Sequence, residues 1–198
     1  MSHHLGVYLE VGAKRVFASA ADWPGWCRSG KDEAAALENL AAYGPRFKPV
    51  AVIARLEIPT TFSFDVIERV KGNATTDFGA PGVPAKTESK RKDIERMASL
   101  LDAAWKYLDQ VVARAPQELR KGPRGGGRDR DKMFEHVLDA ELAYAKALGL
   151  RLRQPDRKAL RQGFFHPGPD AKWPVAYAMR RIAWHALDHA WEIEDRIP

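Results

Sequence analysis

The apolar positions of this chain change period part-way along it, from strand-like alternation to the spacing of helices. In LGVYLEVGAKRVFASA, residues 5–20, Val7, Leu9 and Val11 and then Val16, Phe17 and Ala20 flank a short Gly12-Ala13 turn, which predicts a β-hairpin. DWPGWCRSGKDE reads as a Pro/Gly loop, and Ser29 or Lys31-Asp32-Glu33 at its end starts a helix through EAAALENLAAY, with Leu37, Leu40 and Ala41 on the buried face. Residues 45–58 carry two signals: β-branched side chains for a strand, and the period of Phe47, Val50, Ile53 and Ala54 for a helix, which is preferred. FSFDVIERV, residues 62–70, alternates Phe62, Phe64 and Val66 with polar neighbours and predicts a third strand.

Residues 71–89 hold too much Gly, Pro, Thr and Asn for a regular element, so a domain boundary is expected there. A plain linker is the expectation; the alternative is that TTDFGAPG forms an ordered loop lying on the second domain. From residue 90 the pattern is helical. Ile94, Met97, Leu100, Leu101, Ala104, Trp105, Leu108, Val111 and Val112 form one stripe ending before Pro116, and RKGPRGGGR then breaks the chain. Asp129 or Asp131 can cap a helix through KMFEHVLDAELAYAKAL that stops at Gly149. A short helical piece follows Pro155, and the last helix runs from Pro174 to about Arg196. The predicted organisation is therefore a small α+β domain (β-β-α-β) over residues 1–71, a linker or loop over 72–89, and an all-α, up-and-down four-helix bundle over 90–198.

Composition narrows the chemistry. With 198 residues, 45% of them apolar, the chain can bury a core. No basic segment precedes a long apolar run and no stretch reaches membrane-spanning length, so a soluble, cytoplasmic protein is expected. The single cysteine, Cys27, cannot close an internal disulfide, and any metal must rest on histidines and carboxylates. A formal charge of +6 raises nucleic acid as a partner. Acids are interleaved with the basic runs at 90–92 and 120–132, however, so a solvated face is expected rather than specific nucleic-acid binding. Trp23, Trp26 and Cys27, beside the Pro-Gly turn, are expected to plug the edge of a small core rather than form an exposed contact loop.

Six histidines are present. His3 and His4 stand at the terminus and His166 in a Pro/Gly loop, and these are set aside. His185 and His189 are four apart in RRIAWHALDHAWEIEDR, about 40° apart around a helix and about 6 Å along it, so both imidazoles can reach one ion. Ile182, Ala186 and Ile193 share their stripe, and His136 lies on a similar stripe with Met133, Ala140 and Ala143, so it can supply a third ligand. Inward histidines need partners: a metal is one solution, and Glu141, Asp188, Glu192 or water are others. Arg180 and Arg181, one or two turns before the pair, are candidates to receive an acidic group of a substrate.

EHVLDAE, with His136 and Glu141, followed by HALDH in the last helix, resembles the DinB-like superfamily. The resemblance spans residues 90–198. It implies a four-helix bundle and a divalent metal on His136, His185 and His189, with Glu141 orienting His136; in that scheme zinc or nickel is the expected metal, and Asp188 is expected to tune the ligands together with Glu141. It further implies chemistry on a small molecule, with a low-molecular-weight thiol as cosubstrate for a transferase or isomerase. Where the common form reads HExxHxGQ, this chain has HALDHAWE; Ala186 removes an acid beside the metal, which argues against a hydrolase and leaves the ligands in place. The front segment, DWPGWCRSGKDEAAALENL after a hairpin, is similar to the small HicB-like antitoxin domain. That similarity implies a partner-binding platform, and with it the alternative of a non-enzymatic binding or scaffold protein, homodimeric through the bundle.

Overall fold

The computed structural model describes residues 3–86, 93–122 and 126–198. The basic run at 90–92, the end of the expected linker and part of the GPRGGG turn lie outside the described residues. The architecture is α+β: a mixed four-stranded sheet and, among the described residues, seven helices. Strands β1 (His3–Val11) and β2 (Val16–Ala20) form the expected antiparallel hairpin. The stretch read as a loop after it contains a further strand, β3 (Cys27–Gly30), paired antiparallel to β2. Helices α1 (Glu33–Ala42) and α2 (Gly44–Ile53) then carry the chain to β4 (Phe62–Lys71), which lies parallel to β1. The order of this segment is thus β-β-β-α-α-β, which corrects the predicted β-β-α-β.

The side chain of Asp32 caps α1 at the backbone N–H of Ala35, so the expected start signal acts as such. Sheet order is β3-β2-β1-β4, and β2 and residues 7–10 of β1 are buried on both faces. Val7, Leu9, Val16, Ala18 and Ala20 belong to the main core with Trp26, Leu40 and Phe47. Trp26 is fully buried, stacks on Phe47 and donates its indole N–H to the carbonyl of Leu40, as expected of a core plug. On the opposite face Phe17 and Cys27 meet Ala80 and Trp184, while Tyr8 and Ala21 meet Ala85.

That second face explains why residues 72–86 are not a plain linker. Asn73 caps a short helix, α3 (Ala74–Phe78), in a reciprocal capping box with Thr76. Buried Glu10 of β1 accepts from the Thr76 hydroxyl and from the backbone N–H groups of Gly82 and Val83, 2.8 and 3.1 Å away. A carboxylate removed from water costs little when three donors surround it, and here those donors fix the loop.

The remaining helices are α4 (Ile94–Arg114), α5 (Arg130–Ala147), α6 (Arg157–Phe165) and α7 (Val175–Asp195). Their positions follow the predicted periodicity. Helix α7 is buried nearly all round, against α4, α5 and the sheet segment, and the main core draws members from residues 7 to 193. Gly25 shows how closely α7 is docked: its φ is +93°, and a Cβ there would lie 2.7 Å from Leu187 and 3.2 Å from Ala183. Among the described residues no helix is long and apolar enough to cross a membrane.

Candidate metal centre

Helix α7 supplies two imidazoles and α5 a third. One turn of helix separates His185 from His189, and their Nε2 atoms lie 3.2 Å apart. His136 faces both, its ring centroid 5.1 Å from each. One ligand nitrogen from each of the three lies within 4.8 Å of the others. The sequence stripes explain the convergence: Met133 and Val137 bury one face of α5, Ile182, Ala186 and Ile193 bury α7, and the histidines lie where those faces meet.

The electrostatics favour neutral imidazoles at His185 and His136. Burial lowers the pKa of His185 well below its ordinary value, and the neighbouring His189, Arg181 and His136 push the same way. Burial also lowers His136, aided by His189 and Arg128 and opposed by Asp139 and Glu192. Glu192 lies 3.1 Å from His189 Nδ1, and that hydrogen bond is the main cause holding its carboxyl below the ordinary carboxylate range. An ionised Glu192 accepts from Nδ1 of His189, so Nε2 is the nitrogen that this ring presents to the other histidines. This is the carboxylate–histidine arrangement that orients metal ligands. The Nε2 atoms of His185 and His189 are within hydrogen-bond distance of each other, and the Nδ1 of His185, on the other edge of its ring, is buried without a hydrogen-bond partner.

These observations fit a divalent cation. Two nitrogens about 2.05 Å from a tetrahedral ion stand about 3.3 Å apart, close to the separation of the α7 pair. Three imidazole ligands would leave a position open on a four-coordinate ion. Tyr144 and Trp184 stand beside the His185 ring at centroid distances of 5.8 and 6.0 Å. His136 and His189 are only half-buried, which gives the centre access to solvent.

The structure separates the other expected site residues. Glu141 is buried, but it pairs with Arg157 at 2.9 Å rather than with His136. Asp188 points the other way from its neighbours on α7 and pairs with Arg28 of β3 at 2.7 Å. The two therefore tie helices and sheet together, and the carboxylate that meets a histidine is Glu192. Its signal in the sequence was spacing: three residues past His189 it lies on the same helix face. Arg180 donates to the carbonyl of Val83 and packs on Tyr8 and Tyr177, away from the histidines. Arg181 stays with them, against the rings of Trp184 and Tyr144. His4 pairs with Asp65 at the sheet edge and His166 ends α6, so neither joins the centre.

The chain matches no protein-family model, and no curated protein or solved structure is significantly similar to it.

Proposed function

We propose that the chain is a metal-dependent enzyme acting on a small molecule, with His136, His185 and His189 holding a divalent cation, zinc or nickel. One observation carries this reading: three imidazoles from two helices bring one nitrogen each within 4.8 Å of one another, with His185 and His136 held toward the neutral form by burial. When bound, such a cation supplies Lewis-acid polarisation of a ligand oxygen or sulfur. The chain's own residues do the rest. Glu192 orients His189; Trp184 and Tyr144 stand beside His185; and His136 and His189, the less buried members, offer the side from which a small molecule would approach.

The resemblance of EHVLDAE and HALDH to DinB-like proteins supports the same ligand set and suggests transferase or isomerase chemistry with a low-molecular-weight thiol as cosubstrate. The absence of an acid at Ala186 favours these over hydrolysis, for no carboxylate adjoins His185 in the sequence to take a proton from water.

Metal analysis of protein purified without an affinity tag tests the reading. The wild type is expected to take up about one zinc or nickel per chain, and His189→Ala close to none. A wild type that takes up neither metal removes the basis for the enzyme.

A further inference from the structure

Two adjacent arginines on α7 have different fates, and the difference identifies a ligand. Both are buried; Arg180 is 2% and Arg181 9% exposed. Arg180 is anchored by the carbonyl of Val83. Arg181 lies against rings: its guanidinium carbon is 4.7 Å from the Trp184 ring centre and 5.6 Å from that of Tyr144. Its Nη1 is buried with no hydrogen-bond partner, and among the described residues no carboxylate pairs with it. A ring face attracts the charge but offers no lone pair to the N–H groups in the guanidinium plane. A cation buried in this state costs stability, and the chain meets that cost one helical turn from a metal ligand.

We propose that Arg181 is the anchor for a small organic carboxylate, received at the guanidinium edge beside Trp184 and Tyr144, one helical turn from the histidine centre. The placement at the centre rests on the metal reading; the carboxylate subsite does not. The guanidinium fork matches a planar carboxylate through two parallel hydrogen bonds. A single buried cation balances one negative charge, which favours a carboxylate over a phosphate dianion. The flanking rings favour a flat, unsaturated body over a saturated chain. No bond is made or broken in this step, which only orients the ligand.

The probe is 4-fluorobenzoate, followed by fluorine NMR with metal-free and with zinc-loaded protein, and its zinc content is measured in parallel. Saturable binding to the wild type is expected in both forms, weakened about tenfold or more in Arg181→Met and by an intermediate factor in Arg181→Lys, which keeps the charge without the fork. Zinc content is expected to be unchanged in both variants. Because the metal-free arm does not involve the cation, loss of the metal reading leaves it standing, and loss of the carboxylate subsite leaves the zinc stoichiometry standing. Wild-type affinity in Arg181→Met overturns the proposal. So does inorganic phosphate displacing the probe more strongly than acetate does. If Arg181→Met and Arg181→Lys both fail to fold, the guanidinium is structural and the proposal also falls; a melting temperature of Arg181→Met at or above that of the wild type supports it.

Discussion

Buried Glu10 and the three histidines are both polar islands in apolar surroundings, yet they are finished differently. Around Glu10 the chain provides every partner: the Thr76 hydroxyl and two backbone N–H groups saturate the carboxylate and pin residues 72–86 to the sheet. Around His136, His185 and His189 it provides one carboxylate, Glu192, and leaves a buried nitrogen of His185 without a partner. A closed island is explained by folding alone. An open one leaves three imidazoles facing one another around a gap that a cation can fill, while the buried Nδ1 of His185 costs about 1 to 3 kcal/mol either way. Arg181, with its unpartnered Nη1 beside the open island, extends the same contrast.

The sharpest way to break the comparison is to supply the ligand. Zinc in hundredfold excess over its dissociation constant is expected to stabilise the wild type by about 2.7 kcal/mol. The increment should vanish in His185→Ala and His189→Ala, read from denaturant midpoints with and without metal. Zinc that leaves the wild-type midpoint unmoved would show that the histidine island is closed after all.

The converse applies to Glu10. Glu10→Ala leaves two loop N–H groups and the Thr76 hydroxyl without their acceptor, at an expected loss of about 2 kcal/mol. Zinc content should stay at the wild-type value, because the loop meets aromatic side chains such as Trp184 and Tyr177 rather than the histidines themselves. A large fall in zinc content would show that the two islands are one unit.

Within the open island, the roles of the carboxylates can be separated by metal affinity. Glu192→Gln is expected to weaken zinc binding by about ten- to a hundredfold, the usual effect of removing a partner that orients a ligand. Glu141→Gln should leave that affinity alone and lower stability instead, since it breaks a buried pair with Arg157.

The contrast between these two glutamates also shows what a sequence reveals. The histidines were legible because helices repeat: four residues bring a side chain back to nearly the same face, and the apolar stripe says which way that face points. Glu141 failed by the same arithmetic, since five residues past His136 it is rotated by about 140° around α5 and meets α6 instead. The course of α4 to α7 was likewise fixed by local periodicity and by stop signals such as Gly149, whose φ is +75°. Strand β3 and the 72–86 loop were not legible. Their stability comes from partners far away in the chain: Arg28 with Asp188, Glu10 with Val83, Tyr177 with Pro81. No local period encodes such pairings, and a composition rich in Gly and Pro looks the same in a pinned loop as in a free one.

Acid gives the gentlest test of the open island. Burial depresses the pKa of His185 and His136 in the folded protein, whereas in the unfolded chain they titrate near 6.5. As pH falls below that value the unfolded chain takes up protons that the folded one refuses, so the unfolded state gains. The stability these histidines contribute is thus complete above the unfolded value and is lost as pH falls toward their folded ones. Glu192 obeys the same sign at lower pH, since its depressed carboxyl departs from an ordinary value of 4.5. Denaturant midpoints of metal-free protein should therefore decline from about pH 6.5 to about pH 5, before the carboxylate titrates. His185→Phe, which keeps an aromatic ring and removes the proton acceptor, should flatten that arm while leaving the acidic one. An equal slope in wild type and variant would mean that His185 takes up its proton as readily when folded as when unfolded, and the case for a neutral, ligand-ready imidazole would be lost.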